Sequence, residues 1–196
     1  AAGGYARDPL ATVEIFDGAS SAWSAAPPMG TARREFGAAL LGGKLYALGG
    51  AGLKTEVEAF DVQAGTWAAV APMSVARKAP AVAVVGGKLY AIGGFGIDWL
   101  QSVEAFDPQT GAWAAVAPMA NARSGAGAAV LDGKIYVAGG FCGDYLSSMV
   151  VYDPATNIWS AAAPLATTRA TLGMAALGGL AADPGRGRRV PRRRRP

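Results

Sequence analysis

Apolar residues along this chain fall into short runs, each broken by a turn signal before it reaches nine residues. The stretch from Ser124 to Leu165 is representative. Its apolar runs are Gly125 to Leu131, Lys134 to Gly139, Ser148 to Tyr152 and Ile158 to Ala163. Asp132-Gly133 separates the first two; a two-residue turn of this kind needs positive φ at both positions and joins antiparallel strands tightly. The Asp153-Pro154 turn separates the third run from the fourth, and Pro164 ends the last. Runs of this length and spacing predict strands and no helix longer than a turn, so each unit is an all-β, four-stranded antiparallel meander.

The unit recurs. Trp23, Trp67, Trp113 and Trp159 are spaced by 44, 46 and 46 residues, and Asp17, Asp61, Asp107 and Asp153 keep the same intervals, as do Arg33, Arg77, Arg123 and Arg169. Double glycines at 3–4, 49–50, 93–94 and 139–140 recur with them. A meander of this size has two faces and cannot bury both alone; sheets that stack radially, face on face, solve the problem. Small residues on the first strand of each unit (Ala38, Ala39, Ala126, Gly127, Ala128) suit a crowded position beside a central channel. The double glycine is expected to make room for the tryptophan ring of the fourth strand.

Several motifs carry a family resemblance. These are the GKLYALGG type of run (43–50, 87–94, 133–140), the VEAFD and VVYDP runs, a tryptophan six residues after the aspartate, and Pro-Met or Pro-Leu followed by arginine. In these the chain resembles the Kelch-repeat family over residues 1–179, which implies a β-propeller. Two strands, three complete units and a last first-type strand at 171–177 would make fifteen strands. This is a partial ring of about three complete blades with flanking strands, and it resembles a fragment of a larger Kelch protein. After Gly179 the repeat stops, and residues 180–196 read as an Arg/Pro-rich tail expected to be disordered. A change of reading frame, a solvated tail, or a basic tail for nucleic acid or nuclear targeting are the alternatives for it.

Composition narrows the chemistry. There is no histidine, which removes Ser-His-Asp and Cys-His catalysis and histidine-ligated metals. The single cysteine, Cys142, makes neither an internal disulfide nor a cysteine-rich metal site. No cofactor and no metal are expected. Seven of the eighteen basic residues lie beyond Leu180, leaving eleven against thirteen acids in the rest, so the body is mildly acidic and nucleic-acid binding is expected at most through the tail. No run of eighteen apolar residues is present, and no membrane span is expected. A cytoplasmic location is the expectation.

In an antiparallel meander the loops after the second and fourth strands share one rim. Sequence variation and bulk concentrate there, which makes it the expected binding surface. Trp99, with Phe95 and Asp98 in the longest loop, is the one tryptophan outside the repeat phase; Tyr145 and Asp144 occupy the matching places one unit later. Arg34 and Lys78 adjoin the recurring arginine and are contact candidates, whereas the arginine itself is expected to bond loop carbonyls or an acid. Cys142 near Tyr145 is similar to the neighbourhood in a copper oxidase of this blade type, but that copper needs histidines. Basic residues two positions past the repeat arginine let some Kelch adaptors grip acidic peptides; here those places hold Glu35, Ala79, Gly125 and Thr171.

The resemblance implies a non-enzymatic module that binds another protein or a peptide through this rim, as in the recognition half of a multidomain adaptor. The alternative is a small-molecule or sugar-processing propeller acting through the rim carboxylates Glu35, Glu56, Asp98 and Asp144.

Overall fold

The computed structural model describes residues 1–177; the Arg/Pro-rich segment lies outside them. Among these residues the chain is all-β with fourteen strands. The first sheet pairs β1 (Val13–Asp17) with β2 (Ala22–Ala26). Three four-stranded meanders follow. The second blade holds β3 (Gly37–Leu41), β4 (Lys44–Leu48), β5 (Val57–Asp61) and β6 (Thr66–Val70). The third holds β7 (Ala81–Val85), β8 (Lys88–Ile92), β9 (Val103–Asp107) and β10 (Ala112–Val116). The fourth holds β11 (Gly127–Leu131), β12 (Lys134–Ala138), β13 (Met149–Asp153) and β14 (Ile158–Ala162). Every pairing is antiparallel between consecutive strands, and the sheets do not close into a ring. The strand expected at 171–177 is not formed: among the described residues this segment pairs in no sheet.

The first hairpin of each blade turns as its sequence requires. Asp132 and Gly133 have φ of 49° and 72°, and the glycine pairs at 42–43 and 86–87 repeat this double positive turn. The aspartate that ends β1, β5, β9 and β13 holds the second turn, accepting the backbone N–H of the residue two positions on, from Ala19, Gln63, Gln109 and Ala155.

The core lies between blades, as two-faced sheets demand. Tyr46, Leu48, Val57 and Ala59 of the second blade pack against Leu89, Ala91 and Phe106 of the third. Ile92, Val103 and Ala105 of the third pack with Ile135, Val137 and Tyr152 of the fourth. The inner strands approach so closely that a Cβ at Gly37 would overlap the Val82 side chain, and one at Gly127 would lie 2.9 Å from Met174 Cβ.

The double glycines serve a different purpose from the one the sequence suggested. A Cβ on Gly139 would stand 2.5 Å from the carbonyl oxygen of Arg169, and Gly49 and Gly93 are equally tight against those of Arg77 and Arg123. The space is taken by the backbone of the arginine loop, not by an indole. The tryptophans are half-buried rather than buried. Each stacks on the third-strand ring opposite it (Phe60–Trp67 and Phe106–Trp113 at 5.3 Å, Tyr152–Trp159 at 4.9 Å). Each donates its indole N–H to the preceding blade, at the carbonyls of Pro27, Ala71 and Ala117. Trp23, with no preceding blade among the described residues, is 58% exposed.

The recurring arginine clamps adjacent blades. Arg77, fully buried, reaches from the loop after the second blade into the third. It donates to the carbonyls of Gly93 (2.8 Å) and Ser102 (2.9 Å), to Ser102 Oγ, and to Glu104. Glu104 also accepts N–H bonds from Ser74 and Val75 and the Ser74 hydroxyl. Arg33 does the same with Glu58, Gly49 and Glu56 across the first joint. In the third joint Val150 replaces the glutamate. Arg123 then bonds only Gly139 and Ser148, and its Nε has no partner among the described residues.

Burial acts to raise the glutamate pKa values. Hydrogen bonds from the loop and the arginine outweigh it, and both Glu58 and Glu104 lie below the ordinary value of 4.5. A carboxyl with a lowered native pKa stabilises the fold fully above its unfolded value, and the contribution is lost as pH falls through the native value. Thermal melts should therefore show stability constant near neutrality and declining below about pH 4.5. Glu104→Gln should flatten that decline and cost about 3–5 kcal/mol at neutral pH, because Arg77 stays buried without its counter-charge. Conversely, Val150→Glu should raise the melting temperature by supplying the missing acceptor for Arg123, a gain of about 1–3 kcal/mol in denaturant titrations.

Candidate functional site: an aromatic-walled cup on the channel rim

Four backbone positions define the centre of the rim. Glu35, Ala79, Gly125 and Thr171 each lie two residues past a clamp arginine, and all have positive φ, between 47° and 62°. That conformation turns their peptide groups towards one another. The Ala79 N–H donates to the Glu35 carbonyl (2.7 Å), Gly125 to Ala79 (2.9 Å) and Thr171 to Gly125 (2.7 Å), a hydrogen-bonded arc stepping from blade to blade. Three of the four residues carry a Cβ in a region that favours glycine, a cost the arc offsets. In the sequence these four stood out for lacking basic side chains, and Glu35 also as a rim carboxylate; their backbone role left no compositional trace.

Above the arc lies a cavity of about 320 Å³, lined by its four residues together with Lys78, Ser124, Ala170 and the rings of Phe95, Trp99 and Phe141. The rings come from the loops after the second strands of the third and fourth blades. Each loop is a tight hairpin built on Phe-x-x-Asp-aromatic-Leu: Phe95 bridges Trp99, and Phe141 bridges Tyr145. Asp98 and Asp144 accept the N–H of the next residue at 2.7 Å, holding the turns. The backbone of Lys78 pairs with Phe95 and that of Ser124 with Phe141, which fastens each hairpin to the arginine loop of the blade before.

The result is a continuous aromatic strip. Phe95 and Trp99 meet edge to face at 5.8 Å, Trp99 reaches across the joint to Phe141 at 5.9 Å, and Phe141 meets Tyr145 at 5.2 Å. Trp99 is half-buried between the two blades, and Tyr145 is 56% exposed at the open end. On the other side of the cup Lys78 Nζ pairs with Glu35 at 2.9 Å, both side chains partly exposed.

Of the seven residues proposed from sequence, Lys78, Phe95 and Trp99 line the cup, and Tyr145 extends its aromatic wall. Asp98 and Asp144 sit on the hairpin tips as turn-holding groups. Arg34 is elsewhere: its guanidinium lies 4.5 Å over the Tyr5 ring, a cation–π contact at the first joint. Ala51, which stands where the other loops carry Phe95 and Phe141, interrupts the aromatic strip there. Phe141 was missed in the sequence, although it repeats Phe95 directly after a double glycine. Cys142 is an exposed free thiol.

The cup contains one carboxylate, Glu35, so it holds no pair of acids for glycoside-type chemistry. No group of three metal-ligating side chains occurs among the described residues. A larger groove of about 720 Å³ runs along the outside of the first joint past Pro27, Pro28 and Trp67. Its buried acid, Glu58, is already saturated by Arg33, Gly30 and Thr31.

Residues 1–171 match the KLHDC2/KLHL20/DRC7 Kelch-repeats domain. The chain belongs to the Kelch-repeat family. A search of curated proteins returned no match. Kelch-repeat domains are typically protein-interaction modules, generally without enzymatic activity. Among the described residues no helix is long and apolar enough to cross a membrane.

The arc and the ion pair should behave differently under mutation. Ala79→Gly keeps the N–H and C=O of the arc and relieves a left-handed alanine, so its melting temperature should equal or exceed that of the unmodified chain, by up to about 1 kcal/mol of stability. Lys78→Met removes an exposed ion pair and should shift stability by less than about 1 kcal/mol in the same denaturation assay.

Proposed function

We propose that this Kelch-repeat chain recognises another protein by seating an extended peptide segment across the channel rim, with an apolar or aromatic side chain in the cup. The observation that carries this reading is the aromatic strip from Phe95 to Tyr145, which crosses two blades and ends in an exposed ring. Rings of this kind offer large, rigid contact area at low entropic cost and dominate binding energetics. Lys78 and Glu35 supply one donor and one acceptor at the opposite wall to fix the orientation of a peptide backbone. An adaptor role within a larger protein is the reading that the family type favours, and a reducing, cytoplasmic setting fits the free surface thiol.

Peptides selected from a displayed random library against the chain should share an apolar anchor. Tyr145→Ala and Trp99→Ala should each weaken the selected peptides by about 2 kcal/mol or more in titration calorimetry. Tyr145→Ala should leave the melting temperature unchanged, which separates contact from packing. Asp132→Ala, on the opposite rim, should leave affinity intact; a loss there instead would place the binding surface on the hairpin rim.

A further inference from the structure

The three internal joints repeat one set of hydrogen-bond donors, and two of them carry the acceptor that the set is built around. At the first joint the Glu58 carboxylate accepts from the N–H groups of Gly30 (2.6 Å) and Thr31 (3.1 Å) and from Arg33 Nη2 (2.8 Å). At the second, Glu104 accepts from the N–H groups of Ser74 (2.7 Å) and Val75 (3.3 Å) and from Arg77 Nη2 (2.9 Å) and Nε (3.3 Å). The third joint keeps the donors. Ala120 and Asn121 stand at the places of Ser74 and Val75, and Arg123 at that of Arg77. The acceptor is gone: Val150 is the second residue of β13, where Glu104 is the second of β9.

The guanidinium has not moved to compensate. Arg123 Nη1 donates to the carbonyls of Gly139 (3.0 Å) and Ser148 (3.1 Å) and Nη2 to Ser148 Oγ (3.1 Å), the same bonds that Arg77 makes to Gly93, Ser102 and Ser102 Oγ. Its Nε has no partner among the described residues, and neither do the N–H groups of Ala120 and Asn121. Arg33 Nε is unpaired as well, but Arg33 keeps its carboxylate through Nη2. Arg123 is 1% exposed and has none. Burial lowers the pKa of both Arg77 and Arg123; at Arg77 the Glu104 carboxylate opposes this, and at Arg123 no carboxylate does. A buried cation of this kind is costly without a counter-charge. Valine carries carbons as far as the γ position and lacks the δ carbon and two oxygens of glutamate, a fragment of formate size.

We propose that the third joint binds a small monovalent anion, chloride or a carboxylate of formate size, between Arg123 and the N–H groups of Ala120 and Asn121. The anion stands in for the side-chain carboxylate of the other two joints. Nε and Nη2 of Arg123 hold it from one side and the two main-chain N–H groups from the other, so two directions of approach and one full positive charge select for a compact anion. Only the folded chain brings the arginine loop against β13, so binding is coupled to the stacking of the fourth blade on the third.

Unfolding of the intact chain in denaturant, followed as chloride replaces the bulky anion isethionate at constant ionic strength, tests this. An ion held only by the folded state acts by mass action, and the unfolding constant should fall about tenfold per decade of chloride above the dissociation constant. A parallel series with formate identifies the preferred anion as the one that acts at the lower concentration. Val150→Glu should exceed the unmodified chain in stability most clearly without chloride, and the difference should shrink as chloride rises, because the variant brings its own carboxylate and responds to neither anion. Val150→Gln, an uncharged acceptor of the same length, should likewise abolish the response. Broadening of the chloride NMR line should be larger with the unmodified chain than with either variant. Stability of the unmodified chain that is indifferent to chloride and formate would overturn the proposal. So would the same chloride dependence in Val150→Glu and Val150→Gln, the result expected if the anion met only the seven arginines beyond Leu180.

Discussion

Each of the three four-stranded blades depends on an arginine carried by the loop before it. A four-stranded sheet with two apolar faces has no stable existence alone, and stacking by shape would leave neighbouring sheets free to slide. The guanidinium fixes them. It is planar, permanently charged and provided with several donors, and it bonds two main-chain carbonyls and a carboxylate of the adjacent sheet at once. In the Arg77 cluster removal of such a group from water is tolerable because each of its protons finds an acceptor and because Glu104 is itself surrounded by loop donors. The loop that carries the arginine is thereby held in place, and the residue two positions on can adopt the left-handed conformation that builds the floor of the cup. Blade stacking and the cup therefore share one anchoring point.

That coupling explains what could be read from the chain and what could not. Strand positions, hairpins and blade boundaries follow from alternation and turn residues, whose effects are local. The rim and several of its rings were legible because topology alone assigns loops to a side. The purpose of the double glycines was not legible, because the crowding they answer comes from a backbone more than twenty residues away. Nor was the pairing of Arg77 with Glu104, since a glutamate in a VEAFD run looks like the polar face of an ordinary strand. Its burial arises only when a second sheet covers it. The stretch 171–177 has the pattern of a strand, yet among the described residues it has no sheet partner. Arg34 reads like Lys78, yet its guanidinium lies over the Tyr5 ring and not at the cup.

The aromatic strip shows a related economy. Trp99 belongs to one blade by sequence and to two by contact, so the same ring that faces the cup also braces the joint beneath it. The spacing of its rings is set by the sheets, and Asp98 and Asp144 hold the hairpin tips that present them.

The joint between the third and fourth blades differs from its predecessors in one respect, the valine opposite Arg123. In a molecule where each unit touches only its neighbours, cohesion is a sum over joints and local opening concentrates at the weakest. A buried guanidinium without its acid makes this joint the natural hinge. The strip passes over that very joint, between Trp99 and Phe141, so small changes in blade angle translate directly into the width of the aromatic wall. The missing carboxylate beneath the strip thus gives that wall a compliance the other joints lack.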